Sequence, residues 1–507
     1  MSNKTYFSNF IQTYSWQSLS VFLNLISMVV VIPLLTSNPV IYGIYSICIS
    51  MAIYLNYADI GFITACYKYA GESYIKEKYD LELKLYGFAS FIMFLFVSLI
   101  VVIFIYFSIN PSQLIKDLSS QSNINIASKL LFIQAIFSYN IVLQRFYYGI
   151  LSVRIEQFVF DRINILGSFC KIISIFYFFN GTKYDIVGFF LFTKIVELVV
   201  TSICALIVNK KYNISFISFI KVFKFNREIF LMTKKLALGS LFATAMWIIY
   251  YELDLIVIGK LLGPLEASYF AAALIAVKFF RTFASIIYGP FAHRYNHYYG
   301  GNDLDGLKKL VLDVIKLSMP LVVLSSIIVI LYGDIIILTW LGEEYIKSTF
   351  LLRLLTFNFL LSFIIIPSSN ILLVTEKIMK IYLINVALAI SYWLGIFLLI
   401  NEIGVNSFAV SKLLAGLISV FFYLIFLLKY LKVSFLDFYK QTIFKLTLPI
   451  VFLLLTRILF YNHLINLSLI TLILFLIVSL LISLSVLYLI SNYYKSQLNH
   501  FWLKILK

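Results

Sequence analysis

Charge is scarce in this chain: 12% of its 507 residues are Asp, Glu, Lys or Arg, about half the share of an ordinary soluble domain. Glycine and proline are few, at 20 and 8 residues, and no low-complexity tract or linker is long enough to house a separate soluble domain. Cysteine is rare as well. Cys48, Cys66, Cys170 and Cys204 lie in or beside apolar stretches, at spacings that fit neither a zinc site nor a disulfide framework, so they read as small buried residues. Histidine numbers four. His293 and His297 have the i, i+4 spacing of a helical metal pair, but Arg294 stands where a zinc protease would carry Glu, so metal binding is not expected. There is no Gly-rich Lys-Ser/Thr loop, which excludes a built-in ATPase of that class. No large loop is available for a polymerase or glycosyltransferase site. These absences argue against an enzyme.

Apolar residues fill the space. They make up 62% of the chain, and mean hydropathy is +0.98. A membrane span needs about 20 apolar residues, and such runs recur along the whole length. The chain is therefore read as an all-α polytopic membrane protein with about fourteen spans. These fall at roughly 14–35, 41–66, 86–108, 129–152, 158–179, 185–208, 236–259, 265–290, 311–340, 351–374, 380–400, 406–428, 446–461 and 466–490. In the long 311–340 stretch, Pro320 and Gly333 are candidates for kinks or ends. The first run, about Tyr14 to Leu35, is too long for a signal peptide and reads as a retained helix.

The basic residues orient the spans. With the N-terminus in the cytoplasm, about 26 basic residues fall in inside loops, against about five outside, namely Lys116, Lys129, Lys183, Lys260 and Lys347. Lys495, Lys504 and Lys507 of the tail join the inner set, so both termini are expected in the cytoplasm. The net charge of +17 then reflects topology. Spread over many short loops, it does not suit a nucleic-acid partner.

The spans also divide in two. Helices one and seven enter from the same side, which permits parallel six-helix repeats. Leu34-Leu35 precedes Tyr42 much as Leu261-Leu262 precedes Tyr269. The expected organisation is a bundle over 1–209, a basic amphipathic linker over 210–235, a second bundle over 236–430, and two further helices with a tail over 431–507. The linker interleaves Phe216, Phe219, Phe223, Phe225 and Phe230 with Lys and Arg, the pattern of a segment lying at a lipid interface.

Ionisable residues inside spans are costly and mark function unless they reach an interface. Lys171, Lys316, Arg353, Arg457 and Asp334 are read as snorkelling, and Lys194 with Glu197 as a pair that neutralises itself. Lys278 and Arg281 lie mid-span on one helix face, and Lys412 lies within the twelfth span. These three are the candidate substrate-binding cations, suited to an anionic, phosphate-bearing substrate. Asp254, Glu252 and Asp59 are the candidate acids for ion coupling or gating. No cofactor is expected beyond a coupled proton or sodium ion.

Particular motifs resemble a known family. Tyr42-Gly43 with Asp59-Ile60-Gly61-Phe62, Asp254-Leu255-Ile256-Val257-Ile258-Gly259, and Leu262-Gly263 with Ala267-Ser268-Tyr269 are similar to segments of Wzx-type O-antigen flippases. Leu338 to Tyr345, Pro367 to Asn370 and Glu376-Lys377 are similar to further segments of that family. The resemblance implies the multidrug/oligosaccharidyl-lipid/polysaccharide (MOP) exporter fold, MATE-like, with two six-helix bundles and here two C-terminal helices. It implies an undecaprenyl-diphosphate-linked oligosaccharide as substrate, moved between leaflets of a bacterial inner membrane by alternating access. It also implies a polysaccharide polymerase and a chain-length regulator as partners. A drug/cation antiporter of the same fold, a lipid II flippase and a polymerase remain as alternatives.

Overall fold

The computed structural model describes residues 3–118, 120–181, 183–465 and 467–490. Lys495, Lys504 and Lys507 lie outside them. Among the described residues the regular structure is helical, without strands. Eleven helices are long and apolar enough to cross a membrane, and thirteen if each of two bent pairs counts as one span. The remaining predicted span, 158–179, is a 22-residue helix carrying Asp161, Arg162 and Lys171, and those charges set it apart from the other spans in composition.

By contacts the chain divides into Met1–Ser268 and Tyr269–Lys507. The first unit holds α1 (Asn3–Leu35), α2 (Pro39–Ala52), α3 (Phe62–Ile75), α4 (Tyr79–Ile109), α5 (Gln121–Phe137), α6 (Asn140–Val153), α7 (Gln157–Phe178), α8 (Ile186–Tyr212), α9 (Phe216–Val222), α10 (Arg227–Tyr251) and α11 (Asp254–Leu261). Within it α1 packs on α7, α7 on α8, α3 on α4, and α5 on α2, α4 and α8. The sequence sets the boundaries locally. Pro39 opens α2, where its missing N–H costs nothing, and the Asn38 side chain accepts from Ile41 N at 3.1 Å. Asn226 caps α10 in the same way.

Predicted single spans prove broken. Span 41–66 divides into α2, a 3₁₀ turn over Ile53–Tyr57, and α3. Gly61 sits between them at φ +78°, where a Cβ would meet Ala237 O at 2.7 Å, so a side chain is excluded by both conformation and space. Span 129–152 bends by 41° between α5 and α6, and span 236–259 breaks at Glu252-Leu253. The hydropathy of each run as a whole did not mark these breaks, although Asn56, Asp59, Gly61, Ser138 and Glu252 stand at them.

The motifs of the second and seventh spans meet as packing surfaces. A Cβ on Gly43 would lie 1.8 Å from Pro264 O, and one on Gly259 would lie 2.5 Å from Ile47. The two glycines thus let α2 and the α11 segment approach closely. Lys116 N donates to Gly259 O at 2.9 Å and fastens the segment to the loop after α4.

The second unit follows with α12 (Pro264–Gly300), α13 (Leu304–Leu341), α14 (Ser348–Leu360), α15 (Ser362–Val374), α16 (Ile378–Ile403), α17 (Asn406–Leu431), α18 (Phe435–Gln441), α19 (Thr447–Leu464) and α20 (Leu469–Ile490). Its first turns belong by contact to the first unit. α13 runs unbroken through Pro320 and Gly333, so neither ends the helix as the sequence allowed. α14 and α15, the predicted span 351–374, bend by 40°. α19 and α20 pack on each other and on α13. Asp334 of α13 holds Arg353 at 3.3 Å and Arg457 at 2.6 Å, so these three residues, read singly in the sequence, form an ion-paired triad.

Candidate functional site

A polar cavity of about 470 Å³ lies within the first unit. Its wall draws on α1, α2, α5, α6, α7 and α8, and on both helix breaks. Ile53, Leu55 and Asn56 of the turn after α2, and Ser138 between α5 and α6, all line it. Broken backbone at membrane depth is tolerated where protein buries it or where it lines a cavity, and both breaks meet that condition here.

Charge enters the cavity from two helices. Glu197 of α8 receives Lys171 of α7 on one carboxylate oxygen at 3.0 Å and Lys194 of its own helix on the other at 3.1 Å. Two ammonium groups share one carboxylate, leaving the cluster one positive charge. A third cation stands close, since Arg145 Nη2 reaches Asn56 Oδ1 at 3.5 Å, and Tyr67 OH donates to Arg145 O.

The rest of the lining is amide and hydroxyl. Asn24, Asn56, Gln134, Asn140, Gln144 and Asn164 contribute six carboxamides, with Ser27, Ser138 and Ser168 between them. Each amide presents donors and an acceptor. The Gln134 Oε1 and Asn140 Oδ1 atoms are buried and accept no hydrogen bond. Buried acceptors are nearly always satisfied, so a donor-rich occupant, such as water or a polyhydroxyl ligand, suits these two positions.

The residues singled out from sequence lie elsewhere. Asp59 stands in the turn before α3, its Oδ2 accepting from Ile63 N at 3.2 Å. Glu252 ends α10, with Trp247 Nε1 at 3.3 Å from its Oε1 and Tyr54 OH donating to its backbone oxygen at 3.1 Å. Asp254 opens α11 and is 1% exposed. Lys278 and Arg281 share α12, Lys278 exposed and Arg281 half-buried. Lys412 of α17 is 3% exposed, with its Nζ 5.0 Å from the centre of the Tyr392 ring. The three acids belong to the first unit and the three bases to the second. None of the six lines the cavity of the first unit. The cavity charges, Lys171, Lys194 and Glu197, were visible as intramembrane ionisable residues. Their sequence separation hid that α7 brings Lys171 to the α8 pair. His297 is exposed on α12; the His293 side chain lies outside the described ones.

No family profile matches the chain, and no curated protein matches it in sequence. Solved structures do match in fold. The lipid II flippase MurJ in an inward closed conformation aligns with a TM-score of 0.64 at 17% identity, over 95% of this chain and 99% of that one. An inward-facing multidrug resistance MATE family transporter of the MOP superfamily aligns with a TM-score of 0.61 at 14% identity, over 83% and 96%. The chain thus has the all-helical fold of these two proteins, a flippase and a transporter.

Proposed function

We propose that the protein is a flippase that moves a polyprenyl-diphosphate-linked oligosaccharide between membrane leaflets by alternating access. The observation that carries this reading is the lining of the first-unit cavity, with two lysines to one glutamate among six carboxamides. Sugars and a diphosphate cannot cross about 30 Å of hydrocarbon unaided, because each unsatisfied polar group costs several kcal/mol. Amides match sugar hydroxyls, and the excess ammonium charge matches an acidic sugar or phosphate. The prenyl tail stays in lipid throughout.

On this reading Lys171 and Lys194 are headgroup contacts of the first unit, Lys278, Arg281 and Lys412 are the proposed substrate-binding cations of the second, and Lys412 must be uncovered during the cycle to act as one. Asp254, with Glu252 and Asp59, is the proposed seat of proton or sodium coupling or of a gating ion pair. The substrate is an O-antigen or related surface-polysaccharide repeat unit on undecaprenyl diphosphate. The setting is a bacterial inner membrane with both termini cytoplasmic. A polymerase and a chain-length regulator take up the product.

A second reading, a flippase for lipid II, is favoured by one specific observation. The MurJ alignment extends over 95% of the chain, whereas the MATE alignment stops at 83%. A drug/cation antiporter is less well supported, because an organic cation needs an excess of acid that this cavity lacks.

Deleting the gene and following surface glycan together with lipid-linked intermediates tests the reading. Loss of surface polysaccharide with accumulation of single lipid-linked repeats on the cytoplasmic leaflet is the expected result. Arrest of growth with accumulation of lipid II would select the second reading. Intact glycan with altered drug tolerance would overturn both.

A further inference from the structure

The chain repeats a short motif after two of its spans. Ser215-Phe216-Ile217-Ser218-Phe219-Ile220-Lys221 and Ser434-Phe435-Leu436-Asp437-Phe438-Tyr439-Lys440 agree in Ser, both Phe and Lys. The backbone repeats as well. α8 and α17, both long and apolar enough to span, each end on a residue in the left-handed region, Asn213 at φ 57° and Lys432 at φ 56°. Two residues after each of these, a serine caps a seven-residue helix. Ser215 accepts from Ser218 N, and Ser434 from Asp437 N.

Burial repeats too. The second Phe of each motif anchors its helix, Phe219 being 6% exposed and Phe438 1%. Phe219 packs on Phe146 of α6 with ring centroids 4.7 Å apart. The first Phe and the residue after it face outward: Phe216 54% and Ile217 66% exposed, Phe435 and Leu436 58% each. At roughly 100° per residue, the terminal Lys falls beside this apolar face in both helices.

We propose that α9 and α18 are a duplicated pair of interface anchors, one in each unit, whose shared partner is the anionic headgroup layer of the cytoplasmic leaflet. Each follows directly on the end of a span, which sets it at the depth of the lipid interface. An exposed apolar face flanked by cations is what such a surface takes up. The charge is complementary. Positions 209–235 hold seven basic residues against one acidic, and 429–445 hold four against one, each cation near an anionic surface being favourable. α18 opens the 30-residue apolar stretch Phe435–Leu464, of which the 18 residues of α19 alone reach about 27 Å, close to the hydrocarbon thickness of about 30 Å.

The test is thermal unfolding of the full chain in nanodiscs of phosphatidylcholine alone and with about 30% phosphatidylglycerol, a lipid that supplies the surface charge. The wild type is expected to show a higher Tm with the anionic lipid. Lys221→Gln with Lys224→Gln should lose one part of that shift, Lys432→Gln with Lys440→Gln another, and the fourfold variant most of it. Ile217→Asp and Leu436→Asp, on the exposed apolar face, should each lower Tm in both lipid compositions, and more with the anionic lipid. A shift that survives all of these substitutions, or no shift in the wild type, would overturn the proposal.

Discussion

Lys171 of α7 and Glu197 of α8 meet at 3.0 Å inside the cavity of the first unit, joining two helices through a charge that lipid alone would not tolerate. Lys194 completes the cluster from the other oxygen of the same carboxylate. One positive charge remains for a ligand. Removing it by Lys171→Gln is expected to weaken binding of undecaprenyl diphosphate about tenfold or more, the worth of a hydrogen bond to a charged group. Lys171→Glu with Lys194→Glu should abolish transport while membrane insertion persists. Binding in detergent and export in cells measure the two effects, and unchanged affinity in Lys171→Gln would exclude this residue from the site.

A second charged pair of the same unit joins Arg154 to Glu82. The guanidinium reaches the carboxylate through two nitrogens, at 2.5 and 3.1 Å, and lies between the rings of Tyr74 and Tyr212. Both residues are at most 5% exposed. Arg154→Ala strands a buried carboxylate and is expected to cost about 3–5 kcal/mol. Lys211→Ala should cost less, about 1–3 kcal/mol, because Lys211 is half-exposed and the buried Glu156 keeps the Tyr212 hydroxyl as a partner. Chemical denaturation in detergent should rank the two variants in that order; equal losses would mean that burial does not set the strength of these pairs.

Two glycines give opposite predictions for the same substitution. Gly43→Ala places a methyl 1.8 Å from Pro264 O, a backbone atom that cannot rotate aside, so the cost should be about 1–3 kcal/mol. Gly71 lies within α3 with nothing inside 4 Å of its Cβ position. Gly71→Ala should therefore stabilise by about 0.5–1 kcal/mol through helix propensity. Melting temperatures of the two variants check the contrast.

The helical class and the order of the spans were legible because each run is apolar over its length. Tyr42-Gly43 and Ile258-Gly259 were legible as motifs, and the structure gives them a packing role that a motif does not state. Helix breaks were not legible, since Ile53 and Leu55 read as helix and only the fold turns them towards a cavity. Charge partners were legible only over short separations. Lys194 and Glu197, three residues apart, were recognisable as a pair. Lys171 lies 26 residues from Glu197 and Asp334 lies 123 from Arg457, so each read as an isolated charge. The repeated Ser-Phe motif was in plain sight, and it gained meaning from the matching left-handed residues and buried Phe anchors.

The most direct test of the account is a flipping assay with the purified protein in sealed vesicles. A fluorescent, polyprenyl-diphosphate-linked oligosaccharide is placed in one leaflet, and a membrane-impermeant reductant reports how much reaches the other. The account predicts protein-dependent movement of the label that Lys171→Glu with Lys194→Glu eliminates. Label that stays in its leaflet, while the same vesicles export a cationic dye, would contradict it.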